Sequence, residues 1–404
     1  MIDTSSGQSL VITQEHVTAV SSPPAKAEAT ASAAHLLHVF PTFGFGGVPI
    51  RISNVINHLG GDYRHSILAL DNCHDSRSRL SPKLTVKLLS VDDPGAGSIS
   101  ALWAHLGLLR RLRPDLLLTY NWGSIEVALA NRLSSTARHI HFESGFGREE
   151  ADRQLPRRVR FRRLALAKTE RLVVPSQKLY ETATKIWQID PARVSYVPNG
   201  VDCVRFDPTR PGDGIPDLAL APDVLTVGTV APLRPEKNVR RLIDAFALLR
   251  DSLPARLVIV GDGPERGPLE AHAQSLGIGA ATHFAGHVEQ VERVLGAFDL
   301  FALSSDTEQM PNSVLQAMAA GRAIASVDVG DVKHMLAPDN RPFVVPKDQP
   351  ADLAEAMKRL LESPQQRRDI GRANRSWAEE HFDQARMFEA YRALFDGKFE
   401  ERGT

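Results

Sequence analysis

The sequence predicts an α/β protein built as two doubly wound parallel-sheet domains facing one another across a cleft. Three observations carry that expectation. Apolar strand-like runs alternate with amphipathic helical segments from residue 35 onward. The rhythm pauses at "VSYVPNGVD", residues 194–202, and then starts again. A chain of 404 residues is also too long for one ordinary hydrophobic core.

Residues 1–34, with "SSPPAKAEATASAA", are Ser/Ala/Pro-rich and read as a disordered tail. They lack the basic-then-apolar order of a signal peptide. The first domain is assigned to 35–200. "HLLHVF" (35–40) is its opening strand, followed by the loop "PTFGFGG" and a helix in which Val48, Ile52, Val55, Ile56 and Leu59 share a face. "HSILAL" (65–70), "DLLLTY" (115–120), "RHIHF" (138–142) and "RLVVPS" (171–176) supply further strands. The second domain is assigned to 201–382. Its strands are read in "VLTVGTV", "ARLVIVG", "THFAGHV", "DLFALSS" and "AIASVD". A last helix, from about Asp383 to Phe399, spaces Met387, Phe388, Tyr391, Leu394 and Phe395 for burial. It is expected to pack back on the first domain.

Composition narrows the function. With 43% hydrophobic and 24% charged residues, the chain is an ordinary water-soluble globular protein. Lys+Arg and Asp+Glu are equal at 48, which gives no reason to expect nucleic acid as a partner. The charge is divided, however. Residues 35–200 hold 23 basic and 14 acidic side chains, and residues 201–404 hold 24 and 31, as two domains with different partners would. Cys73 and Cys203 form neither a disulfide framework nor a zinc spacing. No run is long enough for a transmembrane helix, so a cytoplasmic protein is expected.

The loops after the strands carry the chemistry, as they must where ligands meet a sheet at its carboxyl ends. Gly44, Gly46 and Gly47 allow a tight turn whose amides could approach an anion at the next helix. A plain βα turn explains them equally well. Pro49 stands where a dinucleotide fingerprint wants glycine, which argues against NAD. Arg234 and Lys237 in "RPEKN" are two cations suited to a diphosphate leaving group. Glu308 precedes a helix opened by Pro311, Asn312 and Ser313 and closed by Gly321, with Gln316 eight positions after the acid.

Together "VPNGVD", "RPEKN", "GDGPE" and "EQMPNSVLQAMAAG", in this order and spacing, resemble the retaining glycosyltransferases of family 4. The likeness covers nearly the whole chain from residue 35. It implies the GT-B architecture of two Rossmann-like domains and transfer of a sugar from a nucleotide-sugar donor to a saccharide or lipid-linked acceptor. It further implies retention of configuration, the leaving phosphate serving as base, and a role in cell-surface polysaccharide or glycolipid synthesis. No cofactor is implied, because the nucleotide sugar is itself the donor substrate. Asp-x-Asp is absent, so cations and helix dipoles are expected in place of a metal.

Carried onto this chain, the resemblance gives Glu308 the donor-sugar hydroxyls and Gln316 the ribose. Met310, Pro311 and Asn312 surround the diphosphate with Arg234 and Lys237, beside Gly263, His287 and Val288 from neighbouring loops. On the acceptor side it marks Gly46, Gly47, Asn121 and the 141–147 loop. His141 and Ser144 take the catalytic positions of a pattern like H-T-E-H-G. Three positions depart from the family: Pro232 replaces an arginine, Ser144 an imidazole and Gln316 a carboxylate. A catalytically silent nucleotide-sugar binder or an epimerase of similar design therefore stays open. Residues 148–171 hold nine basic side chains. Arg157, Arg160, Phe161, Leu164 and Lys168 read as one face of a surface helix, either solvated or in peripheral contact with anionic lipid at the inner face of the membrane.

Overall fold

The structure is a computed structural model and describes residues 33–91, 99–146, 148–150, 153–208, 215, 217–219, 221, 223–250 and 253–399. Most of the tail assigned to 1–34, as well as Gly147 of the acceptor-side loop, lies outside the described residues. The chain divides into two compact units, one of Met1–Val197 with Phe388–Thr404 and the other of Pro198–Met387.

The first unit is a seven-stranded parallel sheet. Its strands are β1 (His35–Phe40), β2 (Arg64–Ala69), β3 (Val86–Leu89), β4 (Leu116–Tyr120), β5 (Arg138–Phe142), β6 (Arg171–Val174) and β7 (Val194–Tyr196), in the order β3-β2-β1-β4-β5-β6-β7. The second unit has β8 (Leu225–Val230), β9 (Ala255–Val260), β10 (Thr282–Gly286), β11 (Leu300–Leu303), β12 (Ala323–Val327) and β13 (Val344–Val345), in the order β10-β9-β8-β11-β12-β13. Both are parallel Rossmann-like sheets. Helices cover both faces of such sheets, so the central strands bury nearly every side chain, as in "LLLTY" and "ARLVIV".

Three strands escape the sequence reading: β3, β7 and β13. They are two to four residues long and stand at or beside sheet edges. β3 alternates Val86 and Leu88 with exposed Lys87, a pattern too short to distinguish from loop.

The last helix runs Gln384–Phe395, shorter than expected at its far end. From Phe388 onward it belongs to the first unit, where Phe388 stacks on His58 at 4.3 Å and Tyr391 on Phe142 at 5.3 Å. Tyr63 donates its hydroxyl proton to Asp396 at 2.6 Å. In the second unit the helix Pro364–Phe382 comes so close to the Gly321 turn that a Cβ on Gly371 would lie 2.1 Å from the Gly321 carbonyl oxygen.

The basic segment half-buries Phe161 of its expected face, and two arginines off that face, Arg158 and Arg162, are paired with carboxylates. Its helix, Pro156–Ala165, ends before Lys168. Arg162 points inward, is 1% exposed, and donates both terminal nitrogens to Glu150 at 3.0 and 2.9 Å. Its guanidinium also lies over Trp122 and Trp187 at 4.7 and 4.6 Å. Arg158 is held by Glu149 and Glu150. Glu150 and the indole rings thus draw two arginines out of the solvent face, because a buried guanidinium needs partners for its charge. Arg157, Arg160, Leu164 and Lys168 remain exposed.

Imidazoles fill part of the first unit's interior. His38 bonds the Tyr120 hydroxyl at 2.8 Å and the His65 ring at 3.0 Å. Burial pushes His38 and His139 well below the ordinary histidine range and His65 down to about 4. In the unfolded chain these rings take up protons near 6.5, so acid favours unfolding over the window from 6.5 down to the folded values. Stability should therefore fall between about pH 7 and pH 5, by on the order of 2 kcal/mol from His65 alone. Urea titrations across that window test this, and a flat profile would contradict it.

Candidate active site

In the second sheet the winding direction changes between β8 and β11, the position where a doubly wound sheet opens a ligand crevice. The loop after β8 ends in a short turn, Pro235–Lys237, and the loop after β11 leads into the helix Asn312–Ala319. Several bonds stitch the two loops together. Asp306 N–H donates to Glu236 at 2.9 Å, Ser304 Oγ donates to the Lys237 carbonyl at 3.3 Å, and Arg241 reaches the Ser304 carbonyl at 2.6 Å and Asp306 at 2.7 Å. At their meeting point Lys237 Nζ donates to Glu308 Oε1 at 2.6 Å, and Ser305 Oγ donates to the same oxygen at 2.8 Å. The pair is accessible, with side chains 21% and 11% exposed.

The remaining donor-side residues take their places around this pair. Pro311 caps the helix Asn312–Ala319 in an extended conformation, and Gln316 is half-buried on that helix. Asn199 Nδ2 donates to the Met310 carbonyl and to Asn312 Oδ1, both at 3.0 Å, fixing the loop that opens the helix. Gly263 adopts φ +158° and packs against the loop carrying Arg234, where a Cβ would meet the Leu233 carbonyl oxygen at 2.4 Å. Gly261 N–H donates to the Gly286 carbonyl at 2.8 Å, so the turn with exposed His287 and half-buried Val288 adjoins the same rim. A cation, a helix start and adjoining loop backbone are thereby gathered at one sheet edge. An anion with two phosphates could displace the Glu308 carboxylate from Lys237.

In the first unit the structure bonds two of the expected residues, Ser144 and Asn121, to one another and adds a third, Arg51. Gly46 caps the helix Gly47–Leu59. One turn into that helix Arg51, 9% exposed, donates to Ser144 Oγ at 2.7 Å. The Ser144 N–H donates to Asn121 Oδ1 at 2.9 Å, and Asn121 holds φ +57° with its own N–H bonded to Phe142. With ψ 176° this lies outside the left-handed helical region, in backbone space that favours glycine, so the surrounding bonds hold Asn121 in a strained conformation. Because Arg51 occupies a lone pair of Ser144, the serine proton must point elsewhere.

His141 does not join them. It is fully buried in β5, with Nδ1 at 2.7 Å from Thr119 Oγ1 and Nε2 at 3.9 Å from Glu143. The imidazole has no exposed surface in this structure, so the catalytic role expected of His141 gains no support from its geometry. Arg51, Asn199 and Ser305 were not read as site residues. Arg51 lies on the buried face of its helix, where a sequence pattern expects an apolar side chain, and Asn199 was legible only as part of the VPNGVD motif.

The described residues contain no group of three or more His, Cys, Asp or Glu side chains placed to hold a metal ion, and no helix among them long and apolar enough to cross a membrane.

Comparison with known proteins bears on the family and the fold. Residues 46–200 match the model of a glycosyl transferase 4-like domain, and residues 215–377 match that of glycosyl transferases group 1. The chain is 29% identical over 214 residues to a D-inositol 3-phosphate glycosyltransferase of Actinosynnema mirum, covering 49% of this chain and 51% of that one. It is 27% identical over 197 residues to a 2-deoxystreptamine glucosyltransferase of Streptomyces kanamyceticus, covering 48% and 49%. The matches thus span about half the length of these curated relatives. Among solved structures, a glycosyltransferase from Rickettsia africae superposes with a TM-score of 0.76 at 13% identity, over 91% of this chain and 99% of that one. The Anabaena protein HepE in complex with UDP superposes at 0.74 and 16% identity, over 90% and 100%. The chain belongs to the group 1 glycosyltransferases of GT-B fold.

Proposed function

We propose that the protein transfers a sugar, with retention, from a nucleotide-sugar donor to a saccharide or lipid-linked acceptor in cell-surface polysaccharide or glycolipid synthesis. The observation that carries this reading is the accessible Lys237–Glu308 pair beside a helix N-terminus at the switch point of the second sheet. Lys237 and Arg234 neutralise the departing diphosphate together with the amides of the 310–312 loop. Released from Lys237, Glu308 accepts hydrogen bonds from the donor sugar, and Gln316 bonds the ribose. HepE, whose crystals contain UDP, supports uridine diphosphate as the leaving group. The leaving phosphate serves as base for the acceptor hydroxyl. Its charge is met by protein cations and helix dipole, so the reaction needs no metal.

Ser144, fixed by Arg51 and Asn121, offers a hydroxyl where relatives offer an imidazole. That substitution, with Gln316 and Pro232, is the basis of the second reading, a protein that binds a nucleotide sugar without turning it over.

Two substitutions separate the readings. Lys237→Ala should weaken uridine diphosphate binding by about 1.5–3 kcal/mol, with or without a chelator. Glu308→Gln should leave that binding unchanged or tighter, because the phosphates no longer compete with a carboxylate for Lys237, and lower turnover by more than an order of magnitude. Calorimetry and a nucleotide-release assay provide the measurements. Unchanged affinity in the first variant removes the diphosphate site, and full turnover in the second removes the role of Glu308.

The exposed Arg157, Arg160, Leu164 and Lys168 support peripheral contact with an anionic bilayer. The pairing of Arg158 and Arg162 leaves a weaker basic face than the sequence count, so the attraction should be readily screened. Vesicles with anionic lipid are expected to retain the protein at low salt and release it at high salt. Equal retention by neutral vesicles would reject the contact.

A further inference from the structure

A cavity of about 610 Å³ lies wholly within the first unit, in the size range of small-molecule sites. Its position follows from the sheet. Pro41 comes directly after β1, Leu70 and Asp71 directly after β2, and Trp122 and Gly123 just after β4. β1 and β4 are the neighbours between which this sheet changes its winding direction, so the cavity occupies the unit's own switch point.

Its walls are largely apolar, and Trp122 among them is held by its neighbours. Leu70, Trp122, Ile125 and Phe161 face it. Trp122 lies under the guanidinium groups of Arg162 and Arg158, at 4.7 and 5.1 Å, and meets Phe161 edge-on at 5.8 Å. Because Arg162 is itself clamped by Glu150, the indole is held in place before any ligand arrives.

The charged groups around the cavity carry no excess of positive charge. Arg158 is committed to Glu149 and Glu150, and the lining otherwise holds two carboxylates, Asp71 and Glu126, one further arginine, Arg157, and His105. Such a lining offers no net positive field to an anionic head, but its carboxylates accept hydrogen bonds from hydroxyls.

We propose that this cavity seats the acceptor, and that the acceptor is an uncharged amphiphile. Its apolar body lies against Leu70, Trp122, Ile125 and Phe161, with hydroxyls directed to Asp71 and Glu126. The proposal rests on the transferase reading above and adds the acceptor's chemical class to it.

The test uses the full chain and three probes: hexyl β-D-glucoside, glucose and hexyl phosphate, each titrated by calorimetry beside a separate titration with uridine diphosphate. Hexyl glucoside should bind saturably and at least tenfold more tightly than either other probe. Phe161→Ala and Leu70→Asp, both at half-buried positions, should each weaken it at least fivefold, while Phe161→Leu stays within about twofold as the control for folding. No saturable binding, glucose binding within tenfold of the glucoside, tightest binding of hexyl phosphate, or indifference to both wall substitutions would overturn the proposal. If uridine diphosphate still binds in that case, the cavity assignment fails and the transferase reading stands. Absence of nucleotide binding counts against the transferase reading itself.

Discussion

A parallel sheet delivers every post-strand loop to the same edge, and the location of function in this protein depends on that constraint. Where the winding changes direction, neighbouring loops diverge and leave room for a ligand. The second unit meets this condition at β8 and β11, and the Lys237–Glu308 pair sits there. The first unit meets it at β1 and β4, with Asn121 and the cavity wall at Trp122 just beyond β4. Two sheets of one topology thus carry two chemistries, cationic and polar in one case and largely apolar in the other.

Rigid support behind each site follows from how polar groups are satisfied away from water. Arg162 is tolerated at 1% exposure because Glu150 takes both its terminal nitrogens and aromatic rings cover its faces. The same contacts immobilise Trp122. In the second unit Asn199 and Arg241 play the equivalent part, bonding loop backbone and side chains so that Glu308 and the helix start stay in register. Such bonds join residues far apart in sequence.

Much of this was legible in the sequence. Long buried strands such as β4, β8 and β9 announce themselves as continuous apolar runs, and the motif loops follow them directly. The short strands β3, β7 and β13 do not, because two to four residues cannot establish a period. Lys237 and Glu308 were both read from motifs, whereas their direct bond depends on the approach of two loops 71 residues apart. The depth of His141 was hidden for a related reason. Strand alternation gives the face a side chain takes, but not how deeply neighbouring strands enclose it. The face of the basic helix was legible from its spacing, whereas composition does not distinguish the arginines off that face, Arg158 and Arg162, that pair with carboxylates.

The central claim is that the nucleotide is held by the second unit alone, at the β8/β11 switch point. Hydrogen–deuterium exchange on the full chain, with and without saturating uridine diphosphate, tests it most directly. The account predicts slowed exchange confined mainly to residues 231–238 and 304–316, with the sheet of the first unit unchanged. Protection centred on residues 41–47 and 121–146, or none at all, would contradict it.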